Sequence, residues 1–376
     1  MKRLYLLYFL INLLFIYKYG RRVLHTRVWL LMVVYVLIVG AFFLLLKRYK
    51  AVLNEKSVFG KLFILLSVIF IILFFVIIHH VNGNALNVDR WSAMDVAIKA
   101  LLNGEYPYTA VDHLGGRTSN FPGLLLIGLP FYLLGSVAYL QIFSFGLLAC
   151  LIYKFFMSNY DRFFLLSMFL LSPAYFWEVV AKSDLMSNII LLLFFILFWK
   201  KLYGSDIFRN PYLLGLLVGL LFLTRGIVVL PLIIFMVKPF FADFKETNIF
   251  FIVSFLIIIS ILIFPIVLTM PPWDVVRENN PLSLQTSYLP SYVYIILIVL
   301  SFIFSFKIKT LKHLLLSSFF VILLSSLFSF FFFLKHFSFH QLVLNSKFDI
   351  SYFSMSLPFL IFSIGLMDSS DKDTIL

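Results

Sequence analysis

The sequence predicts an all-α integral membrane protein, a polytopic helical bundle of about nine to twelve transmembrane helices, each crossing needing about 20 apolar residues for a bilayer core of roughly 30 Å. Three observations carry this expectation. Of the 376 residues, 62% are hydrophobic and 12% charged, about half the charge of an ordinary soluble domain. A soluble fold of that composition lacks the polar groups to cover its exterior, whereas a lipid-facing exterior has no such need. Long apolar runs recur, and 62–78, reading LFILLSVIFIILFFVII, carries no charge at all. The runs are continuous rather than alternating, the pattern of helices that satisfy their own backbone in lipid and not of barrel strands.

Candidate membrane segments fall at 4–17, 28–46, 62–78, 121–135, 136–156, 163–178, 185–199, 212–224, 226–237, 248–268, 291–306, 314–334 and 352–367. Segment 121–135 opens on Phe121-Pro122-Gly123 and closes at Gly135, the outline of a helix that dips in and returns. Segments 212–224 and 226–237 are divided by Thr224-Arg225-Gly226 and form either a short hairpin or one kinked helix. Lys and Arg gather in loops 47–61, 154–162, 200–209, 238–245 and 307–312, which the positive-inside rule assigns to the cytoplasm. Loops 79–120, 179–184, 269–290 and 335–351 then face outward, making 121–135 re-entrant and 212–237 a hairpin. Lys18, Arg21, Arg22 and Arg27 break the pattern, so either the first segment does not span or the rule fails locally. The stretch from Asp368, DSSDKD, reads as a solvated tail. No cleavable signal peptide is apparent at the N-terminus, and no internal repeat is evident.

The outer loop 79–120 is too long for a simple connection, and long loops are functional or disordered. Trp91, Met94, Ala97, Ile98, Leu101 and Leu102 recur at helical spacing. They predict an amphipathic helix on the outer surface, with Ser92 as cap, Asp95 as its capping-box partner and Asn103-Gly104 as its stop. Asp89, between the membrane segment and this helix, is placed to act as general base on a hydroxyl; equally it serves as an N-cap or a solvated acid. Asp95 suits the helix dipole, with a role as alternative base. Asp112 and Glu105 lie among turn residues and read as solvated. In loop 179–184, either Lys182 and Asp184 pair at the membrane boundary, or Ser183 or Asp184 caps the next helix. Arg225, with Thr224 and Gly226 its only polar company, either grips a phosphate bidentately or snorkels to the interface.

Several classes are set aside. The net charge of +13 follows from basic loop ends, and no basic soluble domain exists to carry nucleic acid. A single Cys150 permits no internal disulfide and no cysteine-built metal site. His79, His80, His113 and Arg117 border or occupy the first outer loop, but no metal-ligand spacing, Walker A sequence or GxGxxG appears.

The run DRWSAMDVAIKALLNGEYPY followed by SNFPGLLLIGLPFYLLG resembles the GT-C polytopic glycosyltransferases. The likeness is to the polyprenyl-phosphate-sugar-dependent group with the bacterial mannosyl- and arabinosyltransferases. The shared elements are an acid after an early membrane helix (Asp89), a surface helix ending in Leu102 to Tyr108, and Phe121-Pro122 opening the next segment. LLGLLVGLLFLTRGIVVLPLIIFMVKP resembles the family's glycine-rich helix followed by a basic residue, and KSDLMSN its second acidic loop. The resemblance covers roughly 62–240. Residues 1–61 then supply extra N-terminal helices, 241–367 C-terminal transmembrane helices and 368–376 a tail, all in one membrane domain. The family's acidic pair is absent, since Arg90 follows Asp89.

The resemblance implies a GT-C-like fold in a bacterial inner membrane with an extracytoplasmic active face. The donor is a sugar on a polyprenyl phosphate, and the acceptor is a glycan, lipid or protein hydroxyl. Asp89 removes the acceptor proton, and the leaving phosphate is held by Arg225, Lys182 and Arg117, with Asp184, His113, Asn120 and Tyr108 around the substrate. No general acid is required and no cofactor is expected; a divalent metal, present in some relatives, is not indicated. Two other classes compete: a transporter or flippase, which favours intramembrane charges and paired repeats, and a surface-polysaccharide polymerase or ligase, which favours a large late outer loop rich in Arg and His.

Overall fold

The computed structural model describes residues 2–54, 57–242, 246–287 and 289–368; Lys56, Lys245 and tail residues 369–376 lie outside the described residues. The chain opens with α1 (Lys2–Leu24), α2 (Val28–Arg48), α3 (Lys50–Asn54) and α4 (Val58–His80). The outer-loop helix α5 (Arg90–Leu102) follows, then α6 (Pro122–Leu133), α7 (Tyr139–Phe155), α8 (Asn159–Leu170), α9 (Pro173–Val180) and α10 (Leu185–Tyr203). Next come α11 (Pro211–Phe222), α12 (Val229–Ala242), α13 (Glu246–Leu268), α14 (Trp273–Glu278), α15 (Pro281–Thr286) and α16 (Ser291–Lys307). The last are α17 (Leu311–Leu334), α18 (Phe339–Val343), α19 (Ser351–Ser354) and α20 (Leu357–Asp368). Among the described residues the only extended pairing is an isolated bridge between Val111 and Arg117.

Among the described residues six helical stretches are long and apolar enough to cross a membrane, with Lys2–Arg48 counted as one, or eight when each of two bent pairs, α8 with α9 and α14–α15 with α16, is taken as one span. The chain is therefore a multi-pass membrane protein. The expectation of nine to twelve crossings also counted apolar helices of 10–17 residues, most of which fall short of a bilayer core at 1.5 Å per residue. The 60° bend between α8 and α9 has a local cause. Pro173 has no N–H to continue α8, and Ser172 restarts the chain by accepting from Tyr175 N at 3.3 Å while donating to Asn12 Oδ1 at 2.6 Å.

Side-chain contacts sort the helix ends. The N-terminal stretch folds back at His25, whose φ is 47°, so that Tyr8 meets Phe43 and Phe9 meets Tyr35. The α1 C-terminus stacks Tyr19 on Trp177 of α9 with ring centroids 3.6 Å apart. Lys18 and Arg22 therefore lie at the end of the bundle that holds loop 179–184, so α1 runs the full depth and the basic-loop rule is locally broken. The other basic loops meet at the opposite end. There Lys47 pairs with Asp368 and Lys50 with Asp161, Lys201 donates to Lys154 O, and Lys238 Nζ donates to Ile308 O at 2.9 Å.

Both ends of α6 stay at the first of these ends. Gly123 N donates to Leu223 O at 2.7 Å, and in the first turn of α7 Gln141 donates to Ser183 O, so both flanks of α6 lie there. The segments 211–222 and 229–242 form the expected hairpin, with Arg225 at its tip. Its position is set by α11, which seats Gly215 and Gly219 directly on α13. A Cβ at Gly215 would lie 2.5 Å from Phe251 O, and one at Gly219 2.3 Å from Ile258 Cγ2. This is the close approach that small residues four apart permit between membrane helices.

Candidate active-site cavity at one end of the bundle

The long outer loop is ordered as expected, but differently in detail. Helix α5 starts at Arg90 with Asp89 as N-cap, and the Asp89 side chain makes no capping bond. The predicted Ser92–Asp95 capping box does not form. Ser92 Oγ instead donates to Asp89 O at 2.9 Å and meets His113 Nδ1 at 2.5 Å. The apolar face, Met94, Ala97 and Ile98, is buried with Leu124 and Leu125 of α6. That packing holds the start of α5 over the mouth of a cavity of about 640 Å³.

Five sequence-distant pieces build this cavity. Asp89 and Arg90 come from the start of α5, Arg117 and Ser119 from the loop beyond it, Arg225 and Gly226 from the hairpin tip, Gln285 and Tyr294 from α15 and α16, and Asp349 and Tyr352 from the last outer loop. Ser325, Ser326 and Ser329 of α17 add hydroxyls, while Val229, Leu230, Leu282 and Ile298 make an apolar wall. Gln285 ties three pieces together: its Oε1 accepts from Gly226 N at 2.7 Å, its Nε2 donates to Ser119 O, and Tyr294 donates to its carbonyl at 3.2 Å.

Two guanidinium groups are fixed by carboxylates. Arg225 is buried, not snorkelling. Its Nε and Nη2 donate to Asp184 Oδ2 at 2.8 and 2.5 Å, and Nη2 also donates to Asn120 Oδ1 at 2.7 Å. Asp184 neither pairs with Lys182 nor caps α10 through its side chain. Arg90 is paired with Asp349 and lies over the Tyr352 ring, 5.3 Å from its centroid. Burial alone raises the Asp349 carboxyl, but the charge and hydrogen bond of Arg90, Ser351 N–H and Lys18 outweigh it and hold it below the usual range. Arg117 is exposed and enters no ion pair among the described residues.

Asp89 stands apart from these pairs. Its carboxylate enters no salt bridge with another described residue, although Arg90 is its neighbour in sequence. Burial pushes its pKa up, Arg90 opposes this, and Asp112 and Asp349 add to the rise. Asp112, expected to be solvated, is buried at 6% exposure. Its Oδ1 accepts from Leu114 N at 2.7 Å and Gly116 N at 3.0 Å, while Oδ2 has no partner. Glu105 is exposed, as expected.

Asp89, Arg117 and Arg225 therefore meet in one cavity, with Asp184 and Asn120 directly behind Arg225. The remaining candidates do not line it. Asp95 lies half-buried on α5, where desolvation raises its pKa. Lys182 sits over the Trp91 ring at 5.5 Å with φ 52°. His113 braces the loop between Ser92 and Leu86 O. Tyr108 is buried against Tyr106, Ile266 and Val276. Sequence reasoning passed over Arg90, Gln285, Asp349 and Tyr352. Arg90 had registered only as the interruption of an acidic pair, and nothing local marks the other three. Among the described residues no group of three or more His, Cys, Asp or Glu side chains is gathered to hold a metal ion. No protein-family model, curated protein or solved structure matches the chain.

Proposed function

We propose that the chain is an inverting glycosyltransferase of the membrane, which moves a sugar from a polyprenyl-phosphate donor to an acceptor hydroxyl on the extracytoplasmic face. One observation carries the reading: a carboxylate without an ion-pair partner, Asp89, shares a cavity with Arg90, Arg117 and Arg225. In this scheme Asp89 takes the acceptor proton as the acceptor oxygen bonds to the anomeric carbon. The bond from that carbon to the phosphate oxygen breaks, and the lipid phosphate leaves as an anion. Preorganised guanidinium groups facing that oxygen stabilise the charge as it develops. Arg225 and Arg90, held by Asp184 and Asp349, need no reorganisation to do so, and Arg117 is free to close on the phosphate. The desolvation that raises the Asp89 pKa makes it a stronger base than a solvated aspartate. The hydroxyls of α17 and Tyr352 suit a sugar, and the apolar wall suits the first isoprene units.

The test is transfer of radiolabelled sugar from polyprenyl-phosphate donors by membranes containing the chain, with Asp89→Asn as the comparison. The reading expects transfer by the native chain and a loss of about 100-fold or more in the variant. Full activity in Asp89→Asn removes Asp89 as the base, and no transfer from any such donor removes the reading itself.

A further inference from the structure

The turn behind Asp89 contains a second carboxylate that the proposed chemistry leaves unused. Asp112 N donates to Gly116 O at 2.9 Å, Gly115 N donates to Asp112 O at 3.1 Å, and Gly115 takes φ 82°. The two backbone donors on Oδ1 complete a closed turn, which leaves Oδ2 pointing away from it, buried and without a partner. Gly116 fills the space between the two acids. A Cβ built there would lie 2.7 Å from Asp112 Oδ2 and 3.3 Å from Asp89 Oδ2. The two oxygens are therefore at most about 6 Å apart, across a gap that the missing side chain keeps open. Asp112 does not line the cavity, so it reaches substrate only through Asp89.

Resting on the glycosyltransferase reading, we infer that Asp112 is a positioning residue for Asp89, its unpartnered carboxyl oxygen held across Gly116 from the proposed base. A like charge at this range disfavours the ionised form of its neighbour and raises that neighbour's affinity for a proton. The groups facing Asp89 are Arg90, which opposes the effect, and Asp112 and Asp349, which share it. Arg117 lines the same cavity. Asp349 is neutralised by its contact with Arg90, whereas Asp112 Oδ2 has no partner among the described residues, so Asp112 is the acid free to act. Its location also explains an otherwise costly feature, since a buried oxygen without a partner destabilises the fold.

The experiment follows Asp89 protonation directly, through the pH dependence of its carbodiimide modification in the purified full chain, read by mass spectrometry. The pH–rate profile of transfer is recorded alongside. Asp112→Asn keeps an oxygen for Leu114 N and Gly116 N and replaces the charged Oδ2 by a neutral amide NH2, so the turn persists. Its expected result is a downward shift of the Asp89 midpoint, with the acid limb of the rate profile moving the same way. Gly116→Ala forces the two carboxylates apart and is expected to shift the midpoint downward as well. An unmoved midpoint in Asp112→Asn overturns the inference, as does a shift confined to Gly116→Ala. The labelling needs no turnover. Absence of transfer by the native chain thus refutes the enzymatic reading, while an unmoved midpoint in an active chain refutes only the role of Asp112.

Discussion

Replacing Arg225 by Met tests whether the hairpin tip is held by charge or merely by packing. Arg225 and Asp184 are 7% and 3% exposed, and Asp184 Oδ1 already lacks a partner. Removing the guanidinium strands a buried carboxylate, which costs about 3–5 kcal/mol when one partner of such a pair is lost. It also leaves Asn120 Oδ1 without its donor, about 1–3 kcal/mol more. Removing both charges behaves differently, because exchanging a buried pair for apolar groups of similar volume is often neutral. The double variant Asp184→Leu/Arg225→Met is therefore expected to recover most of the loss, while transfer stays down by roughly 100-fold or more in both, an electrostatic donor being gone. Equilibrium unfolding in mixed micelles measures the first quantity and the membrane transfer assay the second. A single variant within about 0.5 kcal/mol of the native chain, a shift expected only away from buried networks, refutes the reasoning. So does a double variant no more stable than the single.

Further predictions concern the other pieces of the cavity. Burial raises the Asp89 pKa, so the native state binds a proton where the unfolded chain has released one, and stability falls as pH rises through that window. Asp89→Asn should accordingly be more stable than the native chain at neutral pH and lose that advantage in acid; urea midpoints at the two pH values check the sign. The Asp349 carboxyl is held low by Arg90 despite burial, so its stabilisation is present above the ordinary carboxylate range and fades only in strong acid. Asp349→Asn should weaken donor binding about tenfold, equivalent to about 1.4 kcal/mol, seen as a raised donor KM; an unchanged KM counts against Arg90 as a phosphate contact. Gly219→Leu pushes bulk into Ile258 and Phe255 and should destabilise the α11–α13 pair by about 1–3 kcal/mol, measurable as a lower thermal midpoint in detergent.

Legibility followed the range of the interactions. Apolar runs are local signals, and α2, α4, α13 and α17 fall where composition puts them. The hairpin at 212–237 was readable because Gly and Arg interrupt the run at its turn. Asp89, Arg117 and Arg225 stood out as charges in apolar or loop surroundings. Asp349 did not, because its importance comes from Arg90, 259 residues away in the chain. Asp112 was misread for the same reason: turn residues flank it in sequence, while its burial is imposed by the loop folding back over Asp89. The Ser92–Asp95 capping box failed because α5 starts two residues earlier, at Arg90, which puts Ser92 inside the first turn, where its hydroxyl meets His113.

The clasp between Arg90 and Asp349 has a consequence for biogenesis. A nascent chain released only as far as α16 already holds Asp89, Arg117 and Arg225, yet its Arg90 lacks its counter-ion. Completion of the cavity therefore waits for the final helices to insert, and a ribosome stalled before residue 349 should leave a protease-sensitive first loop. Supplying the missing C-terminal piece as a separate polypeptide in the same membrane would be expected to restore protection of that loop.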